Sequence, residues 1–424
     1  MKKLIQIIYS YLTLPILFLM TFFIALLNRK VRNAVVGRFK INNKTNDYLQ
    51  KSTGEEKRII IHCASMGEFE HIKPLIQKLS NIEKISIIVT FFSPSGYDNV
   101  KQFDGVSLII YIPFDFVHSW KKLLNSIKPA MMIISKHDAW PNQVWVTKNQ
   151  NIPIFLVNAS LNENSSRIQG LAGFIYRYIY PEFDAIYCVS NGDKRRFEEN
   201  FPGTNAVKTG DTKFDQVYLR KEMSKERKLI PNEWFEDHLV FLLGSIWPED
   251  FEIFKNTLPV ILNEYDHLKY IIVPHQLNSE FIENILTAFN NIQDINFFSD
   301  DFKNSSRILI IDRIGILADL YKYADFAYVG GSFKQGIHNV MEPAIYGLPV
   351  LYGPNHKNSY DAVKLLENNG SKIIVNENDV VVELKHLIEN LDYRDSLGQK
   401  ALKFAQQNTG TTERLIEMWK SILS

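Results

Sequence analysis

Two doubly wound α/β units in series, preceded by an apolar N-terminal segment, form the fold class that this sequence predicts. Three observations carry the prediction. After residue 58, short β-branched runs alternate with amphipathic stretches; a charged, broken stretch at 219–238 interrupts this alternation, which then resumes. Before all of it, residues 4–27 contain no charged side chain. Continuous apolar runs separated by helices are the pattern of a parallel sheet covered on both faces.

The opening segment, "LIQIIYSYLTLPILFLMTFFIALL", is long enough to cross a hydrocarbon core of about 30 Å. It lacks the small-residue cleavage site of a removed signal peptide, and Pro15 is tolerable in a membrane helix. Arg29, Lys30, Arg32, Arg38 and Lys40 follow it, whereas Lys2 and Lys3 precede it. The heavier basic flank lies downstream, which places the body of the protein on the cytoplasmic side. Two arrangements stay open, a helix that spans the bilayer and one that lies in its interface. The basic flank also has two readings. It is drawn to anionic headgroups at about 1 kcal/mol per basic residue, or it holds a phosphorylated lipid substrate.

In the first unit, "RIIIHCA", "ISIIVT", "VSLIIYI", "MMIIS", "IPIFLVNA" and "AIYCVS" read as strands, with helices at 68–80, 94–103, 116–127 and 141–150. The unit ends near "VKTGDTKFDQVY", residues 207–218. The charge density of 219–238, with Pro231, reads as a short helix and linker. The second unit brings "LVFLLGS", "LKYIIVPH", "RILIID", "FAYVGGS", "LPVLYG" and "SKIIV", and residues 394–423 read as closing helices. The expected domains are therefore an anchor at 1–28, an N-terminal domain at 29–220, a linker at 221–238 and a C-terminal domain at 239–424.

Composition narrows the function. The 48 basic and 47 acidic residues nearly cancel, which argues against a general nucleic-acid binder. Cys63 and Cys188 lie inside apolar runs and read as buried free thiols of a reducing compartment. No CxxC and no Cys/His cluster points to zinc, so no metal site is expected.

Ligands of open α/β sheets bind beyond the carboxyl ends of the strands, so polar residues at strand ends are the candidate site. Glu68 follows "IHCASMG" where a strand turns into a helix. Gly67 permits a tight turn there, and the helix dipole favours an ionised Glu68 able to take a proton from an alcohol. The alternative is an ordinary first-turn Glu. His62, within the strand, reads as a satisfied sheet histidine. "ISKHDAWPNQVW" brings Lys136, His137 and Asp138 to another strand end, and Asp138 with Glu68 makes a candidate carboxylate pair. Trp140 and Trp145 read as packing residues. Lys213 in "TGDTKFD" is placed to meet an anionic group. In the second unit, Ser245 and His275 end strands. "YVGGSFKQGIHNVMEPA" supplies Gly331, Ser332, His338, Asn339 and Glu342 at a strand–loop–helix junction suited to phosphate and a ribose diol. The competing reading is a glycine-rich turn with a capping Asn. No GKS or GKT follows, so it is not a Walker loop.

Taken together, "IHCASMGEFEHIKPLI", "VTFFSPSGYDNV", "YIPFDF", "WPNQVW", "LVNASLNENSSR", "TGDTKFD", "GSIWPEDFE" and "VGGSFKQGIHNVMEPAIYGLPVLYGP" make the chain resemble the 3-deoxy-D-manno-octulosonic acid (Kdo) transferases from about residue 30 to 420. The resemblance implies a GT-B architecture, with two Rossmann-like domains facing a cleft and an N-terminal membrane-anchor helix. It implies inverting transfer of Kdo from CMP-Kdo to a hydroxyl of a lipid A precursor, without bound metal or cofactor, at the cytoplasmic face of the inner membrane. Glu68 matches the general base of the family's SxGE motif. Gly331, Ser332, His338, Asn339 and Glu342 match its CMP-binding segment.

Some positions depart from that pattern. His275 stands where the family has an Arg, Ile337 where a Gly is usual, and Lys136 and Asp138 alter an acidic pair. An imidazole grips phosphate less firmly than a bidentate guanidinium. Two rival readings follow: a GT-B enzyme that uses a UDP-sugar and another lipid acceptor, and a non-catalytic membrane-bound nucleotide- or glycolipid-binding protein.

Overall fold

The computed structural model describes residues 1–292 and 295–424. It contains two compact units, Met1–Gln216 with Thr409–Ser424, and Val217–Asn408.

The first unit is built on seven strands: β1 (Lys57–Cys63), β2 (Ile85–Phe91), β3 (Val106–Tyr111), β4 (Met131–Ser135), β5 (Ile154–Ala159), β6 (Ala185–Cys188) and β7 (Ala206–Lys208). Their order is β3-β2-β1-β4-β5-β6-β7 and every pairing is parallel. Consecutive residues such as Ile59, Ile60 and Ile61 are all buried, because helices cover both faces. The strand order reverses between β1 and β4, and loops from adjacent strands diverge at that point.

The second unit repeats the plan with β8 (Leu239–Ile246), β9 (Leu268–Pro274), β10 (Ile295–Phe297), β11 (Ile308–Ile310), β12 (Phe326–Val329), β13 (Val350–Tyr352) and β14 (Ser371–Ile373). The order is β10-β11-β9-β8-β12-β13-β14, again all parallel, with the reversal between β8 and β12. Both cysteines are free and buried in the first unit.

Several expectations need correction. Strands β7 and β10 were not expected; each has three residues and lacks the long apolar run that marks the expected strands. The helix expected at 94–103 shrinks to Pro94–Tyr97. The stretch 221–238 is not a linker. The helix Thr212–Ser224 runs into it, and Ile230 and Trp234 are buried in the second core, where Trp234 Nε1 donates to Ser306 Oγ at 2.9 Å. Nor do all the closing helices belong to the second unit, because the chain returns to the first at Thr409. Asp215 holds the returning segment: its carboxylate accepts from Gly410 N at 2.6 Å and from Thr412 N and Oγ1 at 2.7 Å. Trp419 then packs against Phe155 and Tyr187.

The apolar segment is helical over Lys2–Leu27, with a π-helical turn at Tyr9–Thr13 just before Pro15. It does not stand away from the first unit. Lys2 pairs with Glu182 at 2.6 Å, Ser10 Oγ donates to Asn142 Oδ1 at 2.9 Å, and Phe18 packs on Phe114 and Phe116. Tyr9 OH donates to Asp115 at 2.9 Å, and this buried carboxylate also accepts from Trp120 Nε1 and the amides of Asn142 and Gln143. The outward face carries exposed apolar residues such as Leu12, Leu19, Phe23 and Leu27.

Close approach of backbones at the second reversal point sets a demand on sequence. A Cβ on Gly330, at the end of β12, would lie 2.3 Å from Ser245 O and 2.7 Å from Ile246 Cα. Both are backbone atoms that cannot swing away. Gly330→Ala should therefore cost about 3 kcal/mol or more of stability, as an overpacked core position does; chemical denaturation measures this.

Candidate functional site

The first cluster sits where strand order reverses in the first unit. β1 ends at Cys63, and the helix Met66–Ser80 begins three residues later. Glu68 lies in its first turn, partly buried, and its carboxylate reaches back to accept from Ala64 N at 2.6 Å. Burial pushes the Glu68 carboxyl above the ordinary range; the Ala64 amide, His62 and Lys136 oppose the rise, and Asp138 adds to it. The helix dipole therefore does not dominate, contrary to the sequence expectation.

Asp138 comes from the loop after β4, across the reversal. His62 Nδ1 lies 2.9 Å from the Thr90 hydroxyl and 3.2 Å from Thr90 O, and its Nε2 donates to Asp138 Oδ2 at 3.0 Å. Burial alone would raise the Asp138 carboxyl, but His62 outweighs it and the group stays below the ordinary range. The pair thus contains one easily ionised carboxylate and one that holds its proton longer. His62 is a satisfied sheet histidine, as expected, yet its partner is the candidate site residue Asp138. Sequence reasoning gave it no such role, since the 76 residues between them hide the contact.

Lys136 is forced into the left-handed region at φ 62° and contributes its charge to Glu68, His71 and Asp211. Lys213 lies 3.8 Å from Asp211, and its own amide donates to that carboxylate at 3.0 Å. Asp211 was not among the expected site residues. Burial opposes its charge, but Lys213, His71 and Lys136 hold it below the usual range. Trp145 is interior and Trp140 packs on Phe92 at 5.2 Å.

Gly67 needs a different explanation from the one expected. Its φ is not positive, and a Cβ would meet only Ser65 Oγ at 3.9 Å. The backbone does not require glycine there. Of the basic flank, Arg29, Lys30 and Arg32 are exposed on the helix Arg29–Phe39, but Arg38 is not a free surface charge. Its guanidinium donates to Ala34 O and Phe92 O, and it lies over the rings of Phe92, Tyr111 and Phe114.

The second cluster sits at the reversal between β8 and β12. Asp250, fully buried, accepts from Trp247 N (2.9 Å), Tyr328 OH (2.9 Å) and Gly331 N (2.7 Å). Burial raises its carboxyl and these donors counter the rise. The expected role of Gly331 as a phosphate donor is corrected accordingly, since its amide is already used. Glycine is still required there: φ is +97°, and a Cβ would lie 2.4 Å from Gly336 O. Ser332 is likewise an internal residue, buried, with its hydroxyl accepting from Gly353 N at 2.6 Å. Gly331 and Ser332 build the loop, and the exposed residues on it are others.

Three rings mark the loop's approach to β8 and β9. Trp247 Nε1 donates to His338 Nε2 at 2.9 Å, so that nitrogen carries no proton. The His275 ring stacks on both, 4.4 Å from Trp247 and 4.5 Å from His338. Burial pushes His275 down and His338 down to about 4, so the stack is neutral near pH 7. The His275 imidazole is thus part of a ring stack. Ser245 ends β8 in the left-handed region at φ 51°. Asn339 caps the helix Met341–Ala344, its Oδ1 accepting from Met341 N at 3.1 Å, and its amide nitrogen lies 3.3 Å from Glu342. Glu342 pairs with Arg220 at 3.2 Å; burial raises its carboxyl and Arg220 counters. Trp247, Asp250 and Arg220 were missed because their partners lie 81 to 122 residues away. Among the described residues no three His, Cys, Asp or Glu side chains gather as metal ligands.

Comparison with known proteins adds sequence and fold relationships. Residues 36–216 match the family model described as 3-deoxy-D-manno-octulosonic-acid transferase (kdotransferase). The 3-deoxy-D-manno-octulosonic acid transferase of Haemophilus influenzae is 26% identical over 372 residues, covering 86% of this chain and 87% of that one. The enzyme of the same name from Aquifex aeolicus is 29% identical over 332 residues, covering 77% and 85%. Among solved structures, UDP-GlcNAc 2-epimerase of Neisseria meningitidis, bound to UDP-GlcNAc, aligns with TM-score 0.64 at 14% identity over 86% of this chain and all of its own. That likeness shows the fold alone.

The neutral imidazoles give a pH signature. His71, His137 and His338 are all pushed from the ordinary 6.5 to about 4, chiefly by burial. Between those values the unfolded chain binds protons that the folded chain refuses, so stability falls as pH falls from about 6.5 to 4. His338→Gln keeps an acceptor for Trp247 and should make the fall shallower, read as thermal midpoint against pH.

Proposed function

We propose that this chain, a glycosyltransferase similar to the Kdo transferases, moves Kdo from CMP-Kdo to a hydroxyl of a lipid A precursor with inversion, Glu68 being the general base. The observation that carries the reading is the position of Glu68. It stands at the reversal point of a parallel sheet, where burial raises its carboxyl above the ordinary range. The similarity to named transferases favours this reading over a non-catalytic binding protein.

In the proposed reaction the acceptor hydroxyl gives its proton to Glu68 as its oxygen bonds the anomeric carbon of Kdo. The bond from that carbon to the CMP phosphate breaks on the opposite face, and CMP leaves. Asp138, held ionised by His62, orients the acceptor, and Lys136 and Lys213 supply positive charge to its phosphate or to the Kdo carboxylate. The open surroundings of Gly67 leave room for the sugar against the backbone. The second unit binds the donor, with Ser245, His275 and His338 near the base, Asn339 near the phosphate and Glu342 near the ribose. Metal independence is part of the proposal.

We further propose that the enzyme sits on the cytoplasmic face of the inner membrane, with its N-terminal helix lying in the interface. Lys2 and Tyr9 are bonded to the first unit, and so is the helix that follows Asn28. The contacts continue to Phe18, which packs on Phe114 and Phe116, so the undocked stretch is far shorter than a core of about 30 Å. Arg29, Lys30 and Arg32 face anionic headgroups.

General-base catalysis is typically worth about 10²–10⁴-fold. Glu68→Gln should thus lower kcat at least about a hundredfold while CMP-Kdo affinity stays the same. Radiolabelled sugar transfer and calorimetric donor binding measure the two; transfer near the wild-type rate removes Glu68 from the role. A protease-cleavable tag at the N-terminus should be cut from the same side of sealed vesicles as one at the C-terminus. Protection of the first tag alone would establish a span.

A further inference from the structure

Between the N-terminal helix and the first unit lies a cavity of about 790 Å³, within the range of small-molecule sites. Leu17 and Phe18 wall it from the helix, Val31 and Ala34 from the basic helix, and Phe92 and Trp140 from the strand-end loops. The outer wall belongs to a helix whose exposed face is apolar and uncharged, so an apolar molecule enters from lipid. Lys30 and Arg38 also line the cavity, with Asp98 and the buried, fully bonded Asp115 as acids among them. Burial lowers Arg38 only to about 10, which leaves it cationic at neutral pH, and Asp138 acts on it electrostatically. Two contacts set one end of the cavity beside the first cluster. Trp140 is two residues from Asp138 and packs on Phe92, while Ser93 N donates to Ala64 O at 2.8 Å, next to the amide that Glu68 accepts from. The cavity and the candidate base share a wall.

We infer that this cavity seats one acyl chain of the acceptor lipid, with the anionic headgroup emerging past Arg38 toward Glu68. The chain's identity as part of the acceptor rests on the function proposed above. Seating it fixes the depth and orientation of the reacting hydroxyl, so binding energy far from the reaction centre serves positioning.

The test uses the full chain in phosphatidylglycerol vesicles with a phospholipid that carries a diazirine midway along one acyl chain. The inner wall at 112–116 should be labelled, and an acylated phosphorylated glucosamine disaccharide should suppress that labelling where its chain-free counterpart does not. This arm needs no sugar transfer, so it still decides the cavity if the proposed reaction is wrong. In transfer assays, Leu17→Trp and Val31→Trp, both at partly exposed positions, should raise KM for the acylated acceptor about tenfold and leave KM for the chain-free acceptor unchanged. Leu19→Trp, on the outward face, should change neither. An unlabelled inner wall, equal competition by both disaccharides, or a KM that ignores the chain overturns the inference.

Discussion

In a parallel sheet each connection returns over a face, so neighbouring loops part company only where the strand order reverses. That constraint places the central polar groups of both units, although Lys213 follows β7 and His275 follows β9. In the first unit the reversal separates β1 from β4, whose loops carry Glu68 and Asp138. In the second it separates β8 from β12, whose loops carry Trp247 and His338. Each crevice is then fastened by one buried side chain bonded across the gap: His62, from β1, reaches Asp138, and Asp250 reaches Gly331.

These two ties work differently. The hydrogen bond from His62 keeps Asp138 ionised, which leaves Glu68 facing a negative charge and a higher proton affinity. Two like groups at one site thereby acquire different readiness to ionise. Asp250 gathers three donors and ties the glycine loop to the start of the helix that follows β8. The amide of Gly331 and the hydroxyl of Ser332 are consumed in that construction, which leaves the ring stack of Trp247, His275 and His338 as the distinctive surface of the crevice.

The N-terminal helix shows how a long apolar segment becomes part of a domain's wall. Asp115 accepts from four donors, one of them Tyr9 on that helix. A buried carboxylate left without them would be costly, so the dock and the fold support each other. The helix keeps an exposed apolar outer face and lends its inner face to a cavity that adjoins the loops of the first crevice.

Much was legible in the chain itself. The two α/β units, twelve of the fourteen strands among the described residues and the apolar N-terminal helix follow from local pattern, because strand burial and helix starts are written in neighbouring residues. Residues 409–424 were assigned to the wrong unit because Asp215 finds their amides across nearly two hundred positions. Gly67 looked like a turn glycine, although its backbone is ordinary. Gly331 looked like a donor to phosphate, although Asp250 takes its amide. Composition and periodicity determine which segments become strands and helices, since those choices depend on side chains a few residues apart. Which amides remain free, which carboxylate keeps its proton and where the anchor docks were decided only by tertiary structure, because hydrogen bonding and desolvation depend on neighbours that the linear order does not reveal.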